Sequence, residues 1–402
     1  MKVKIDKSAL SGTVVAPPSK SMAHRMLICA GLSKGTSKVH GIAPSEDILA
    51  TLDCLKQIGA SFTYDGDTVI INGAGNENAR EERELYCRES GSTLRFFIPL
   101  CLLDGKKTIL GGTQKLLSRP LGVYENICKS QGIEFGNDGD KLTVKGVLSS
   151  GNYKIQGNIS SQFISGLMFA LPLLGGDSTI DIIPPIESCS YINLTIQALG
   201  EFGVTVKWLD ERTLFIPGSQ SYQPREVTVE GDYSNGAFFE ALNYLGDNVT
   251  VEGLRADSIQ GDRVYREFFP MLERGTPTVH LADCPDLGPV LFALAAAKNG
   301  GVFTGTHRLR IKESDRGAAM AQELKKFGVS VRIEEDTIVV YPAKFHAPSE
   351  VLCGHNDHRI VMALSILLTK TGGIIEGAEA VKKSMPDFFE KIIQLGAKVE
   401  EL

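Results

Sequence analysis

No run of about 18 apolar residues occurs in the 402-residue chain, so a membrane-spanning helix is excluded. No signal-peptide pattern precedes Ser19, and a cytoplasmic protein is expected. The eight cysteines (Cys29, Cys54, Cys87, Cys101, Cys128, Cys189, Cys284 and Cys353) are irregularly spaced and form no C-x-x-C pair, which points to reduced, structural thiols. Positive charge is not in excess. With 42 Lys and Arg against 48 Asp and Glu, the net charge of −6 argues against a general nucleic-acid binder. GAGNEN at Gly73 lacks the third glycine of a dinucleotide fingerprint and reads as a turn. What remains is a chain that is 43% hydrophobic and long enough for two or three domains.

What the chain does have is repetition. Six residues of helix-capping type each open a strongly apolar stretch: Ser19 (SKSMAHRMLICAGL), Ser90 (SGSTLRFFIPLCLL), Ser160 (SSQFISGLMFALPLL), Ser234 (SNGAFFEALNYL), Asp286 (DLGPVLFALAAA) and Asn356 (NDHRIVMALSILL). Their intervals are 71, 70, 74, 52 and 70 residues. Between them recurs a more amphipathic helix that ends at a glycine (Gly59, Gly132, Gly203, Gly328) and runs into a hairpin, with Asp65-Gly66 and Asp138-Gly139 as turns. The unit reads β-α-β-α-β-β, and the fourth copy, lacking most of its hairpin, accounts for the short interval. The sixth copy stops at KVEEL after one strand, while MKVKIDK and GTVVAPP are strands without a copy, so both chain ends are expected in one domain. Stretches such as LMFALPLL and VLFALAAA are apolar all round, whereas TVIING and TIVVYP alternate. Buried helices inside half-wet sheets, three units per domain around a pseudo-threefold axis, are expected.

Cations gather where helix starts direct unpaired N–H groups and positive dipole. Lys20, Ser21 and Arg25 occupy the first turns of the first apolar helix, Gly91 and Ser92 open the second, and Ser160, Ser161 and Gln162 open the third. In RIKESDRG, Lys312, Glu313 and Arg316 fall within one helical turn, with Lys312 and Arg316 at i, i+4. Asp286 is expected to cap the fifth apolar helix, and His358 and Arg359 begin the sixth. Two carboxylates among several cations are equipment for proton transfer beside a bound polyanion.

Together, PPSKSMAHRMLICAGL, SGSTLR, SRPLG, SSQFISGL, IKESDR, NDHRIVMALSI and KSMPDFF resemble the 5-enolpyruvylshikimate-3-phosphate synthase family, also called the 3-phosphoshikimate 1-carboxyvinyltransferases. The resemblance spans the chain, with the motifs in order. It implies the two-domain inside-out α/β barrel of enolpyruvyl transferases, with six repeats. It also implies transfer of the enolpyruvyl group of phosphoenolpyruvate to the 5-hydroxyl of shikimate-3-phosphate, releasing phosphate, in aromatic amino-acid synthesis. One domain is expected over 1–15 and 230–402 and the other over 16–229. The active site would lie in the cleft between them, and the halves would close on substrate about 14–17 and 227–231.

Carried over residue by residue, the resemblance puts Lys20, Ser21, Arg25, Ser160, Ser161, Gln162, Ser188, Asp286 and Lys312 at shikimate-3-phosphate. It puts Lys20, Gly91, Arg119, Gln162, Arg316, Arg359 and Lys383 at phosphoenolpyruvate, whose carboxylate and phosphate suit bidentate arginines. Asp286 is the implied base and Glu313 the implied acid, with Lys20 an alternative donor. No metal or cofactor is implied, and the expected assembly is a monomer. The chain departs from the family pattern at Glu89, where many members have asparagine, at Phe96, where many have proline, and at Arg308, where many have a neutral amide.

Three rival readings stand against this one. A sister transferase acting on a UDP-sugar carries a reactive cysteine in the loop before its Arg-Pro, and GGTQKLLSRP has none. An RNA 3′-phosphate cyclase needs a nucleotide-accepting histidine, for which His358 is the candidate, and a basic surface, which the acidic balance opposes. A non-catalytic anion-binding module leaves Asp286 with Glu313 unexplained. His355 and His358 could form a metal pair, but an Asn-capped helix start explains HNDH more simply.

Overall fold

A computed structural model describes residues 1–74 and 82–402. The chain opens with β1 (Lys2–Asp6), β2 (Ser11–Val15), α1 (Lys20–Leu32), β3 (Lys34–His40), α2 (Glu46–Gln57), β4 (Ser61–Asp65), β5 (Thr68–Ala74), β6 (Glu82–Tyr86), α3 (Gly91–Leu100) and β7 (Lys107–Gly111). It continues with α4 (Gln114–Leu117), α5 (Gly122–Ser130), β8 (Glu134–Asn137), β9 (Lys141–Lys145), β10 (Asn152–Gln156), α6 (Ser161–Ala170), β11 (Ser178–Ile183), α7 (Cys189–Glu201), β12 (Lys207–Trp208), β13 (Thr213–Ile216) and β14 (Glu226–Thr228). There follow α8 (Tyr233–Tyr244), β15 (Asn248–Glu252), α9 (Tyr265–Arg274), β16 (Thr278–His280), α10 (Gly288–Ala297), β17 (Gly301–Thr304), α11 (Arg316–Lys326), β18 (Val331–Ile333) and β19 (Thr337–Val340). The last elements are β20 (Leu352–Cys353), α12 (His358–Thr371), β21 (Gly373–Glu376), α13 (Phe388–Gln394) and β22 (Lys398–Glu401).

These elements form two compact units, Pro18–Glu230 and Met1–Pro17 with Gly231–Leu402. The first holds three sheets, ordered β14-β3-β5-β4, β6-β7-β9-β8 and β10-β11-β13-β12. Each has a parallel pair followed by an antiparallel hairpin; α3 joins β6 to β7 and α6 joins β10 to β11, whereas β14 and β3 come from opposite ends of the unit. The second unit repeats the pattern in β16-β17-β19-β18, and completes another copy in β20-β21-β1-β22, where β1 pairs antiparallel with both β21 and β22. The shortened fourth copy is a two-stranded sheet of β15 and β2.

The crossover helices are buried and the sheets half-wet, which gives the inside-out α/β layering. Every residue of α10 from Gly288 to Ala296 is buried, and α6 and α12 are nearly as enclosed, whereas β5 and β19 alternate buried and partly exposed residues. Each unit has its own apolar core. The helix-ending glycines take the left-handed backbone that the exit into a hairpin needs, for example Gly203 at φ 80° and Gly328 at φ 83°.

Three helix starts follow the sequence reading. The side chains of Ser19, Ser90 and Ser160 accept from the N–H groups of Met22, Thr93 and Gln162. The other three differ. Asp232 caps α8 through Asn235 N–H at 2.8 Å, while the Ser234 hydroxyl donates to the buried Asp262 carboxylate. Asp286 sits in a 3-10 turn, Pro285–Leu287, and spends its carboxylate on cations rather than on a cap. Asn356 takes φ 53° in a turn, and Asp357 caps α12 through Arg359 N–H at 3.0 Å. Lys312 and Glu313 precede α11 in non-helical backbone, because Asp315 caps that helix through Ala318 N–H at 3.0 Å and starts it at Arg316. The i, i+4 helical face expected for Lys312 and Arg316 therefore does not exist. Of GAGNEN, Gly73 and Ala74 end β5 rather than form a turn, and the rest lies outside the described residues.

Candidate active site

In the unit Pro18–Glu230, the N-termini of α1, α3 and α6 carry the polar residues singled out above. Lys20, the first residue of α1, pairs with Asp47 at 2.7 Å, and Asp47 stands in the acidic first turn of α2. One turn on, Arg25 is buried and donates to Ser21 O at 2.6 Å, Thr195 Oγ1 at 2.8 Å and Tyr191 O at 3.0 Å. Its guanidinium lies 5.3 Å above the Phe96 ring. Burial pulls Arg25 down to about 10, still charged at neutral pH. Burial also lowers His24 well below its ordinary value, helped by Lys20 and Arg25, so this imidazole is neutral. Ser188 is buried at φ 57° immediately before α7, and its carbonyl accepts from Tyr191 N–H.

A second group surrounds Gly91. Arg95 Nη1 donates to Gln162 Oε1 at 2.7 Å, and Gln162 Nε2 donates to Ser92 Oγ at 2.9 Å, which joins the starts of α3 and α6. A Cβ at Gly91 would fall 2.8 Å from Arg119 Nη1 and 3.2 Å from Arg95 Nη1, so the backbone there lies directly against two guanidiniums. Arg119 keeps Nε and Nη2 buried without a hydrogen-bond partner. Ser160 is occupied as the α6 cap, with Ser161 buried beside it. A cavity of about 420 Å³ between α5 and β10 is distinct from these groups. Its lining has one cation, Lys154, and no carboxylate, which is too little charge to hold a dianion.

In the other unit, Asp286 gathers three cations: Arg316 Nη1 at 2.7 Å and Lys312 Nζ at 3.2 Å on one oxygen, and Arg359 Nη2 at 3.2 Å on the other. Arg316 also reaches Glu313 at 2.7 Å and Asp357 at 2.9 Å, so its planar fork holds three carboxylates. Asp357 is fully buried and accepts from Ser314 Oγ at 3.0 Å. Burial alone would push the Asp286 carboxyl up, but Arg359, Lys312 and Arg316 hold it well below the usual carboxylate range. Burial lowers Lys312, with Asp286 partly opposing. Asp262 is raised to about 7 by burial and the nearby Asp286 charge. Arg359 keeps Nε and Nη1 buried without a hydrogen-bond partner. Lys383 Nζ donates to the Asn356 carbonyl at 2.7 Å. His355 and Asn356 stand in succession at φ 49° and 53°, a conformation costing about 1–2 kcal/mol for each non-glycine residue.

The structure thus joins Asp286, Lys312, Glu313, Arg316 and Arg359 in one network, and Gly91, Arg119 and Gln162 in another. Asp47, Arg95 and Asp357 escaped sequence reasoning as members of these groups. Asp357 had a usable signal, since it is a capping-type residue two positions before Arg359. Phe96 packs into the core against His24 and Phe169 and beneath Arg25, and Arg308 is buried in the 3-10 turn His307–Ile311. Among the described residues no cluster of His, Cys, Asp or Glu could hold a metal ion, and no helix is long and apolar enough to cross a membrane.

The family model for EPSP synthase (3-phosphoshikimate 1-carboxyvinyltransferase) matches residues 5–392. The chain belongs to this family. The 3-phosphoshikimate 1-carboxyvinyltransferase of Clostridium kluyveri is 41% identical, covering 99% of this chain and 98% of its own. That of Clostridium perfringens strain 13 is 40% identical over 100% and 99%. EPSP synthase from Acinetobacter baumannii superposes with a TM-score of 0.79 at 24% identity over the full length of both chains. The enolpyruvyl transferase NikO from Streptomyces tendae gives the same TM-score at 15% identity over 99% and 98%, a likeness of fold alone. The activity is accordingly that of the EPSP synthase family: the enolpyruvyl group of phosphoenolpyruvate passes to the 5-hydroxyl of shikimate-3-phosphate, and phosphate is released, in the shikimate pathway.

Proposed function

We propose that the two polar networks serve this reaction together, each contributing to both substrates. Lys20, Ser21, Arg25, Ser160, Ser161, Gln162 and Ser188 bind shikimate-3-phosphate together with Asp286 and Lys312, and Lys20, Gly91, Arg119, Gln162, Arg316, Arg359 and Lys383 bind phosphoenolpyruvate. The single observation that carries this reading is the pair of arginines Arg119 and Arg359, each with two buried guanidinium nitrogens that have no hydrogen-bond partner among the described residues. A buried, unsatisfied charged donor is costly, and an anionic ligand that accepts from it removes that cost.

The electrostatics suit addition followed by elimination. In the free protein Asp286 is ionised, so it can accept the proton of the attacking hydroxyl, but three cations make it a weak base. When the carboxylate and phosphate of phosphoenolpyruvate take up part of Arg316 and Arg359, that stabilisation is shared and Asp286 becomes more basic. Glu313, on the far arm of Arg316, is the proposed donor to the methylene carbon, with Lys20 the alternative. Phosphate then leaves the tetrahedral adduct with the proton held on Asp286, while the Glu313 carboxylate takes a proton back from the methyl carbon, so that the carbon–carbon double bond re-forms as the C–O bond to phosphate breaks.

Eight free cysteines support a cytoplasmic setting, and a separate complete core in each unit supports a monomer, which light scattering would check. The decisive assay is phosphate release from phosphoenolpyruvate, with and without shikimate-3-phosphate, in metal-free buffer. Release that requires both substrates supports the assignment, and no release from folded protein refutes it.

A further inference from the structure

The segment 351–357 leads into α12 and supplies two groups, the Asp357 carboxylate and the Asn356 carbonyl, with Arg359 just beyond it in the helix. Asp357 braces Arg316, Arg359 follows it, and the Asn356 carbonyl holds Lys383. Its backbone is unusual. Asp357 N–H donates to Gly354 O at 2.9 Å, which closes a four-residue turn whose central residues, His355 and Asn356, both have positive φ. That is the mirror-type turn normally built from glycine, asparagine or aspartate. Gly354 at its first corner has no room for a Cβ, which would meet Val361 Cγ2 at 2.6 Å and Gly377 O at 2.8 Å. A turn this disfavoured persists only when its surroundings over-determine it.

What holds it is a carboxylate on α11 that the reaction does not use. Glu323 is completely buried seven residues after Arg316, two turns along the same helix. One oxygen accepts from the His355 ring Nε2 at 2.9 Å, and the other accepts from Cys353 N–H at 2.9 Å and from Lys326 Nζ at 2.8 Å. Lys326 also donates to Val351 O at 2.9 Å. The segment is therefore fastened to α11 at both ends, at Glu323 and at Arg316, with the strained pair suspended between.

We propose that Glu323 is a positioning residue for the reaction: by clamping His355 and Cys353 it fixes the left-handed turn that sets Asp357 against Arg316 and the Asn356 carbonyl against Lys383. The inference rests on the proposed assignment of Arg316 and Lys383 to phosphoenolpyruvate. It predicts an effect on that substrate alone, since the clamp touches no group assigned to shikimate-3-phosphate.

The test pairs kinetics with amide hydrogen exchange on the full chain. Glu323→Ala should raise KM for phosphoenolpyruvate roughly 10-fold, as expected for a small misplacement of binding groups, and leave KM for shikimate-3-phosphate within about twofold. Exchange over 351–360 should quicken while the rest of α11 stays protected. Glu323→Gln keeps an acceptor oxygen and should restore most of the lost affinity. His355→Asn removes the imidazole yet suits left-handed backbone, so it should reproduce the Glu323→Ala effect with little loss of fold, and it carries the test should Glu323→Ala prove insoluble. Unchanged exchange, or faster exchange with unchanged KM for phosphoenolpyruvate, overturns the proposal. Arg316→Lys, run alongside, separates the two assignments: a normal KM in that variant condemns the site reading, while exchange in the Glu323 variants still decides the clamp.

Discussion

Asp286 is the residue at which charge and chemistry meet most directly. Its depressed carboxyl means that folding gains from Asp286 ionisation, with the sign fixed by linkage. The contribution is full above the unfolded value near pH 4 and is lost as pH falls through the lower folded value. Asp286→Asn should therefore be less stable than the parent at pH 7, with the gap closing on acidification below about pH 4. Urea unfolding at pH 7 and pH 3 checks this, and a gap that widens in acid contradicts it. For turnover, Asp286→Ala and Glu313→Gln should each cut kcat by roughly 10²–10⁴-fold, the usual scale for acid–base groups. Near-normal kcat in either variant, measured at saturating substrates, would remove that residue from the proton transfers.

Helix starts are where this fold presents its backbone to anions, and Gly91 tests that at the level of an element. A methyl group there would sit 2.8 Å from the end of the Arg119 side chain, a flexible neighbour that can shift at little cost to stability. Gly91→Ala should thus melt within a few degrees of the parent but raise KM for phosphoenolpyruvate about 10-fold. An unchanged KM would place the substrate elsewhere. The elements also mark the limit of what was legible. The starts at Ser19, Ser90 and Ser160 could be read because each cap is a local bond three residues long at most. The starts near Ser234 and Asp286 were displaced because distant partners claim those side chains, Asp262 the Ser234 hydroxyl and Arg316, Lys312 and Arg359 the Asp286 carboxylate, and that near Asn356 because Asn356 is turned to φ 53° and Asp357 caps instead. Lys312 and Arg316 do meet at one carboxylate, though not along a helix. Periodicity carried the repeat and its buried helices, but it carries no information about which of two adjacent polar residues caps and which turns.

At the scale of the molecule, neither unit holds all of the proposed site residues. Lys20, Arg25 and Arg119 belong to one, and Lys312, Arg316, Arg359 and Lys383 to the other. If both networks serve one pair of substrates, occupancy of one must favour occupancy of the other. Phosphoenolpyruvate should bind at least 5-fold more tightly with shikimate-3-phosphate present than without, within the usual range of coupling between sites. Calorimetric titration in both orders checks this, and equal affinities would mean that the networks act independently.

The pairing of β1 with β21 and β22 bears on synthesis as well as on stability. A ribosome adding about 5–20 residues per second delivers β22 some 20–80 s after its partner β1. The unit Pro18–Glu230 is contiguous and can mature on the nascent chain in the meantime. Strand β1 must wait, unpaired, until β21 and β22 arrive, long after β15 has met β2. Slow codons or a stalled ribosome between β15 and β22 would thus prolong the time for which β1 stands without partners.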